Sequence, residues 1–480
     1  MTLLPSIQQT PDDATRTAVV LRALREAVVT MLAAIATALC ALAIDPEPGP
    51  AVLAVVLCIS LSRSQLDRDR RGRMEAALVL PVVGLVAVGV GQLLRHSPWL
   101  GATVFTAGMF VSIWLRRFGS MAARAGSLIA LPFVVLLTTP YIPATRVTLI
   151  PPMLLPIVVA LMALGWVGAL HALARRMNIL PPPKASLHRM AEPVKGGSLR
   201  PVASTRMAIQ MAVALSVSFI IGYAFFAERW SWIVLTAFIV NSGNRGRLDV
   251  AYKSMLRVVG AALGTLVALS VSAHLGSHHL AAAILILIAV FLGLWLRPLS
   301  YAWWALFVTI ALALLQGFTD TRALHMLWAR LEEIAIGAVV GVVSAWFVLP
   351  VPSTGVLRRR VADTLASLSE ALDPANPVRT SSDFVASMDG VAQIRPAFHA
   401  SRMVTRRFRP IQPADWIDTL VACKAPAIAV IASGETPGGV RRAVGNARKS
   451  MREPNEILPA LQALHRSLLE SYGEMVRPEP

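Results

Sequence analysis

A few ionisable side chains stand inside or at the rim of long apolar stretches of this sequence. Arg206 lies at the start of one stretch, and Arg330 and Glu333 lie at the start of another. An ionisable group in hydrocarbon is costly unless it meets water or a partner, so these residues are candidates for a substrate or proton path. Snorkelling to the membrane surface is the alternative. Glu333 has to turn toward the protein interior to avoid lipid, and Arg330 is its candidate partner.

Uncharged polar side chains inside apolar stretches could line the same path. Thr236 lies in a short stretch, and Thr309 lies in a later, longer one. Their hydroxyl groups would supply hydrogen bonds to a passing solute. Hydrogen bonding between neighbouring helices is the commoner use of such residues, and this alternative stays open.

Sequence patterns typical of enzymes are missing. No Gly-rich phosphate loop ends in Lys-Ser or Lys-Thr, and neither a His-Glu metal helix nor a Gly-x-Ser-x-Gly elbow occurs. The one histidine cluster, "HLGSHHL" with His274, His278 and His279, has no carboxylate or thiol beside it and fits a loop at the membrane surface better than a metal site. The sequence therefore predicts no enzyme, no cofactor and no metal.

The composition indicates that membrane helices position the charged residues. Hydrophobic residues make up 55% of the chain and charged residues 15%, with a mean hydropathy of +0.62. A soluble core cannot hide so much apolar surface, and a membrane helix needs about 20 mostly apolar residues. The fold class expected is all-α, with twelve transmembrane helices followed by a helical domain. The predicted spans are 26–44, 50–62, 76–94, 98–115, 126–140, 149–174, 204–226, 230–242, 255–274, 279–296, 301–317 and 331–349.

The twelve spans fall into two sets of six that resemble each other at an offset of about 181 residues. "VSIWLRRFGS" lies over "FLGLWLRPLS", and Arg25 lies over Arg206. An even number of helices keeps both sets in one orientation, which predicts a parallel repeat. Arg297 stands at a corner that recurs in both sets, so we interpret it as a cytoplasmic rim residue that anchors the topology or meets an incoming anion. Pairs of glycines four residues apart predict close helix packing, namely Gly260 with Gly264 and Gly337 with Gly341.

This pattern divides the chain into five parts. They are a cytoplasmic N-terminal segment (1–25), a first six-helix repeat (26–174), a linker (175–203), a second six-helix repeat (204–350) and a helical domain (351–480). Lys and Arg concentrate in the predicted loops on one side, at 63–73, 116–124 and 245–257. Fewer stand on the other side, Arg229 and Arg330 among them. The positive-inside rule then places both termini in the cytoplasm, and the +18 net charge needs no nucleic acid.

The second repeat resembles a known family. "RMAIQMAVALSVSFIIGYAF", "WSWIVLTAFIV", "LRVVGAALGTLVAL", "YAWWALFVTIALALL" and "ARLEEIAIGAVVGVVSAWFVLP" follow one another as in the membrane domain of fusaric acid resistance proteins, a family that includes aromatic acid exporters. The resemblance covers about 204–350. It marks Arg257, Gly264, Tyr301, Thr309, Arg330, Glu333, Gly337 and Pro350. Where the family often has an acidic residue before the arginine and an aspartate three positions after it, this chain has Ala329 and Glu333.

The resemblance implies a bacterial inner-membrane exporter of small organic anions, such as aromatic carboxylates, driven by an ion gradient. Two alternatives remain at this stage. One is a passive organic-anion channel, since the superfamily resembles plant malate channels, and the other is a membrane-anchored protein whose terminal domain binds partners. The expected partners are the organic anion and the lipid bilayer. A periplasmic adaptor protein and a homo-oligomer stay open.

Overall fold

The computed structural model describes residues 11–64, 70–138, 151, 154–180, 202–227, 229–275, 279–317, 323–375, 381–408, 412–434 and 437–476. Within these ranges the chain is helical and contains no strand. The helices before Phe347 are α1 (Pro11–Ile44), α2 (Pro48–Ser64), α3 (Arg70–His96), α4 (Pro98–Trp114), α5 (Ser120–Thr138), α6 (Leu155–Arg176), α7 (Ala203–Phe225), α8 (Trp230–Asn241), α9 (Arg247–Leu275), α10 (His279–Leu296), α11 (Tyr301–Gly317) and α12 (Ala323–Phe347). The later helices are α13 (Ser353–Ala371), α14 (Ser382–Ala392), α15 (Arg395–Thr405), α16 (Pro413–Ala422), α17 (Lys424–Ser433), α18 (Gly438–Ser450) and α19 (Ile457–Val476).

Several helices begin earlier than their apolar stretches suggest. α12 begins at Ala323 and α9 at Arg247, whereas the apolar stretches predict starts at 331 and 255. Hydropathy marks the part of a helix that suits hydrocarbon, while backbone hydrogen bonding continues through polar turns beyond it. Arg330 therefore lies inside α12, whereas the predicted span 331–349 leaves it in a loop; Arg257 lies inside α9 and also within the predicted span 255–274.

Six stretches of the described chain are long and apolar enough to cross a membrane: Thr17–Ile44, Pro98–Phe118, Leu155–Arg176, Ala203–Phe225, Arg247–Val271 and Pro413–Ser433. The last of these consists of α16 and α17, and its apolar residues Trp416, Ile417 and Leu420 lie in the core of a separate unit. We therefore do not interpret it as a span. Shorter apolar helices include α8, α11 and parts of α2, α3 and α10.

The chain forms two compact units, 1–242 with 253–349 and 243–252 with 350–480. In the first unit, α1 packs against α2 and α6, and α7 packs against α8 and α12. In the same way α4 contacts α5 and α7, while α10 contacts α11 and α1. The contacts that α1 and α4 make therefore recur six helices later in the chain.

The second unit is a helical domain whose core contains residues from α13 to α19. Residues 243–252 belong to it, because Leu248 packs against this core and its backbone N–H donates to Ser353 Oγ at 2.9 Å. Gly246 has a φ of +111°, and a Cβ there would lie 2.7 Å from Ser353 Oγ. Only glycine fits this turn without strain.

Candidate functional site

Three ionisable side chains named from the sequence are buried in the first unit. Arg257 of α9 is 1% exposed, and Arg330 and Glu333 of α12 are 3% and 0% exposed. Arg330 and Glu333 are three residues apart, so they lie on the same face of α12. Burial of this many charges is unusual and demands compensation by partners.

Glu333 forms an ion pair with Arg229, whose Nε lies 3.2 Å from Glu333 Oε1. Arg330, the candidate partner from the sequence, acts on Glu333 by charge, whereas the ion pair is formed by Arg229. Arg229 immediately precedes α8, a helix of 12 residues, and its side chain is 39% exposed. This ion pair joins α12 to the start of α8.

Arg330 contacts an aromatic ring instead of a carboxylate. Its Cζ lies 3.9 Å from the centre of the Trp232 ring, within the range of a cation–π contact. Its positive charge is repelled by Arg257 and attracted by Glu333. Within the described residues, Nε, Nη1 and Nη2 of Arg330, Nε and Nη1 of Arg257 and both carboxylate oxygens of Glu333 are buried without a hydrogen-bond partner.

The cluster therefore contains three guanidinium groups, from Arg229, Arg257 and Arg330, and the one carboxylate of Glu333. A buried donor without an acceptor costs about 1–3 kcal/mol, and more when the donor is charged. A site with this excess of positive charge is suited to bind an anion that comes from outside the cluster. The arrangement can bind an anion by charge and by several N–H donors at once.

Close helix contacts hold the cluster in place. A Cβ on Gly337 of α12 would come within 2.5 Å of the carbonyl oxygen of Ile233 in α8, and Gly341 lies similarly against Asn241. Gly260 and Gly264 of α9 lie against Ala305 and Thr309 of α11. These glycines allow the helices to approach more closely than any side chain would permit. The close approach of α8 and α12 brings Trp232 into contact with Arg330.

The remaining path candidates have more ordinary surroundings. Thr236 is buried one turn after Trp232, and its hydroxyl has no hydrogen-bond partner within the described residues. Thr309 donates to Ala305 O of its own helix at 2.7 Å. Arg206 is half-buried in the first turn of α7, and Tyr301 is half-buried at the first position of α11.

Arg297 lies in the turn between α10 and α11. Its Cζ is 5.3 Å from the centre of the Trp304 ring. In the corresponding turn of the first six helices, Arg117 lies 5.4 Å from the ring of Trp114. Both corners therefore hold an arginine against a tryptophan.

Two members of the cluster do not follow from the sequence as site residues. The sequence pattern assigns Arg229 to a loop and Trp232 to an ordinary apolar stretch. The signal for both is the segment "RWSW", in which a cation and two large aromatic rings open a short helix. Several predictions lie outside the described residues, namely those on His278 and on the side chains of His274, His279 and residues 63–73.

An open pocket lies beside the cluster. It has a volume of about 500 Å³ and is lined by Arg229, Trp328, Ala329, Leu331, Glu332 and Ala335. Arg229 thus borders the pocket and also pairs with the buried Glu333. This side chain is the link between the pocket and the buried charges.

Comparison with protein families gives one match. Residues 213–344 match the family described as fusaric acid resistance protein-like, which confirms the resemblance over this part of the chain. Arg229, Arg257, Arg330 and Glu333 all fall inside the matched range. Among curated proteins, no sequence matches the chain significantly. The apolar helices and the family match together point to a multi-pass membrane protein and suggest a membrane transporter.

Proposed function

We propose that this protein exports small organic anions, such as aromatic carboxylates, across the bacterial inner membrane and is driven by an ion gradient. The observation that carries the proposal is the buried pair of Arg257 and Arg330, whose guanidinium nitrogens have donors without acceptors among the described residues. A transported carboxylate would provide those acceptors.

Recognition of a carboxylate follows from the geometry of arginine. A guanidinium group presents paired N–H donors that match the two oxygens of a carboxylate, and such bonds are among the strongest in proteins. Trp232, 8% exposed beneath Arg330, adds an apolar and aromatic wall to the same place. The combination favours an anion with a planar apolar body over a small inorganic ion.

Glu333 gives the site a means of release. Its carboxylate competes with a bound anion for the same positive charges, so it weakens binding when ionised. If the coupling ion is a proton, its uptake by Glu333 removes this competitor and leaves the arginines to the substrate. Arg229, which forms an ion pair with Glu333 and borders the open pocket, would be freed in the same step.

The same proposal includes two parallel six-helix repeats with both termini in the cytoplasm. The recurrence of the α1 and α4 contacts at α7 and α10 supports the repeat. The concentration of Lys and Arg in alternate loops supports the orientation. Twelve full spans are not required, because short helices such as α8 can end within the membrane when protein surrounds them.

The test is efflux from cells that express the full chain and are preloaded with fusaric or hydroxybenzoic acid. We expect export against the concentration gradient that stops when an uncoupler is added. Arg330→Met should abolish export, and Arg22→Met, an exposed arginine of α1 outside the cluster and the pocket, should retain it. Uncoupler-insensitive flux down the gradient would indicate the passive channel instead, and full export by Arg330→Met would remove the proposed site.

A further inference from the structure

We propose that the second unit binds an anionic bilayer surface through the end of α15 and the three residues that follow it, 406–408. The segment that makes this contact comprises Met403, Val404, Arg406, Arg407 and Phe408, and we call it the apolar-basic tip. The proposal requires only that the chain is anchored in a bilayer. It therefore stands or falls independently of anion transport.

The tip exposes unusually large apolar side chains. Met403 is 85% exposed, Val404 75% and Phe408 81%, whereas the other large apolar residues exposed in the described part of this unit, Leu469 and Tyr472, reach 47% and 43%. Soluble surfaces carry single exposed apolar residues routinely, but a cluster exposed to this degree marks a contact surface.

The charges of the tip identify the partner. Arg406 and Arg407 are exposed, and within the described residues neither side chain forms an ion pair. Cationic side chains next to aromatic and aliphatic ones are typical of segments that lie in the interface of an anionic membrane. The apolar groups enter the boundary of the acyl chains while the arginines meet the headgroups.

The tip is held in an ordered position by the helices beneath it. Arg402 donates to Asp415 at 3.0 Å and to Asp418 at 2.9 Å, which joins α15 to α16. Thr405 Oγ1 donates to Gln412 Oε1 at 2.9 Å, which closes the base of the connection. Phe398 lies about one and a half turns before Met403 on α15. It is the last large apolar side chain of this helix in the core. Met403 and Val404 are therefore exposed at an end of α15 that these hydrogen bonds hold in place.

The connectivity of the chain keeps a bilayer close to this unit. Only residues 348–352 separate the end of α12 from the start of α13. A segment of this length spans at most about 18 Å when fully extended. A tethered surface acts at a high effective concentration, so the bilayer is favoured over a second copy of the chain or a soluble protein that must arrive by diffusion.

Trypsin provides a direct test, because it cleaves after Arg406 and Arg407 when the tip is free. The full chain is placed in nanodiscs of phosphatidylcholine, alone or mixed with phosphatidylglycerol, and cleavage at the tip is divided by cleavage at the exposed Arg452 of the same unit. Each arginine near an anionic surface strengthens binding about fivefold, so we expect the ratio to fall at least tenfold in the anionic discs. High salt should restore it.

Two variants distinguish a contact with the bilayer from a contact with protein. Met403→Ser with Phe408→Ser removes the apolar contact and should restore fast cleavage in anionic discs, whereas the matched surface variant Leu469→Ser should keep the protection. Equal cleavage ratios in both lipids would overturn the proposal. Protection that persists in detergent and disappears on dilution would also overturn it, because a second copy of the chain would then cover the tip.

Discussion

In the first unit, Arg229 and Arg330 act on the one buried carboxylate of Glu333 and Arg257 acts on Arg330, whereas in the second unit Arg395, His399 and Arg402 each reach an oxygen of Asp418 near the surface. Arg395 lies 3.1 Å from Asp418, His399 lies 2.9 Å from it, and Arg402 bonds to both Asp418 and Asp415. Similar side chains thus form one unbalanced cluster and one balanced cluster.

The difference shows how the two clusters are used. Burial raises the pKa of Asp418, but hydrogen bonds from His399 and Arg402 and the charges of His399 and Arg395 lower it more, so the pKa lies below its ordinary value. This pattern is that of a structural network, which stabilises the ionised form it contains. The cluster at Glu333 instead leaves buried donors of Arg257 and Arg330 without acceptors among the described residues, which lowers stability and is what the proposed anion site requires.

Replacing one arginine in each cluster gives the largest expected contrast. Arg330→Met should weaken binding of an aromatic carboxylate by about 10- to 100-fold, because it removes a charge-assisted hydrogen-bond donor. Its melting temperature without ligand should stay equal or rise, since an unpaired buried charge is replaced by an apolar chain. Thermal unfolding in detergent, with and without the anion, measures both quantities.

Arg402→Met is the matched substitution in the balanced cluster. It should leave anion binding unchanged and lower the stability of the second unit by up to about 1 kcal/mol, as expected for partly exposed ion pairs. A clear loss of ligand-free stability in Arg330→Met would show that the buried cluster is structural too, and the contrast between the clusters would disappear.

Gly337→Ala tests whether the buried cluster depends on the close contact of α8 and α12. The added methyl group would meet the carbonyl oxygen of Ile233 at 2.5 Å, so the helices have to separate, at a cost of about 1–3 kcal/mol. Gly165→Ala in α6 is the control, because its Cβ has no neighbour within 4 Å. It should raise the melting temperature slightly, since alanine favours a helix by about 0.8–1 kcal/mol over glycine. Equal melting temperatures for the two variants would contradict the tight contact.

The smallest expected effect is the acid sensitivity of the balanced cluster. Since the folded pKa of Asp418 is lowered, its contribution to stability is complete above the unfolded value of about 3.9 and is lost as pH falls through the folded value. The protection factors of the amides in α15 and α16, which correct for the intrinsic pH dependence of exchange, should therefore fall on acidification from about pH 4 in the native chain. In Asp418→Asn the protection factors of the same amides should be lower at neutral pH, and they should change less when the pH is lowered. An unchanged acid profile in this variant would assign the sensitivity to another group.

The sequence predicts the elements that strongly apolar stretches define. α10 and α11 have the predicted bounds, 279–296 and 301–317, because turn residues delimit each stretch. Arg330 and Glu333 are recognisable as candidates because a charge within an apolar stretch is conspicuous without any structure. Their partners are not predictable in the same way. Arg229 and Trp232 reach them only because α8 packs against α12, and this contact depends on tertiary structure.

The second unit illustrates the same limit. An amphipathic pattern after Pro350 predicts its helices, but no local signal shows that Leu248, far earlier in the chain, packs against its core. The turn at Gly246 is visible in the sequence only as a glycine. Its positive φ and its contact with Ser353 supply the reason for it, and both depend on residues about a hundred positions apart in the chain.

Because residues 243–252 belong to the second unit, a truncation after α12 does not remove that unit completely. A stop codon after α12 deletes the core against which Leu248 packs, so the truncated protein would carry an uncovered apolar side chain as well as a missing tail. A phenotype of such a truncation therefore reports two defects together. By the same reasoning, the tail cannot be replaced on its own, because a different tail would need an α8–α9 connection that fits its core.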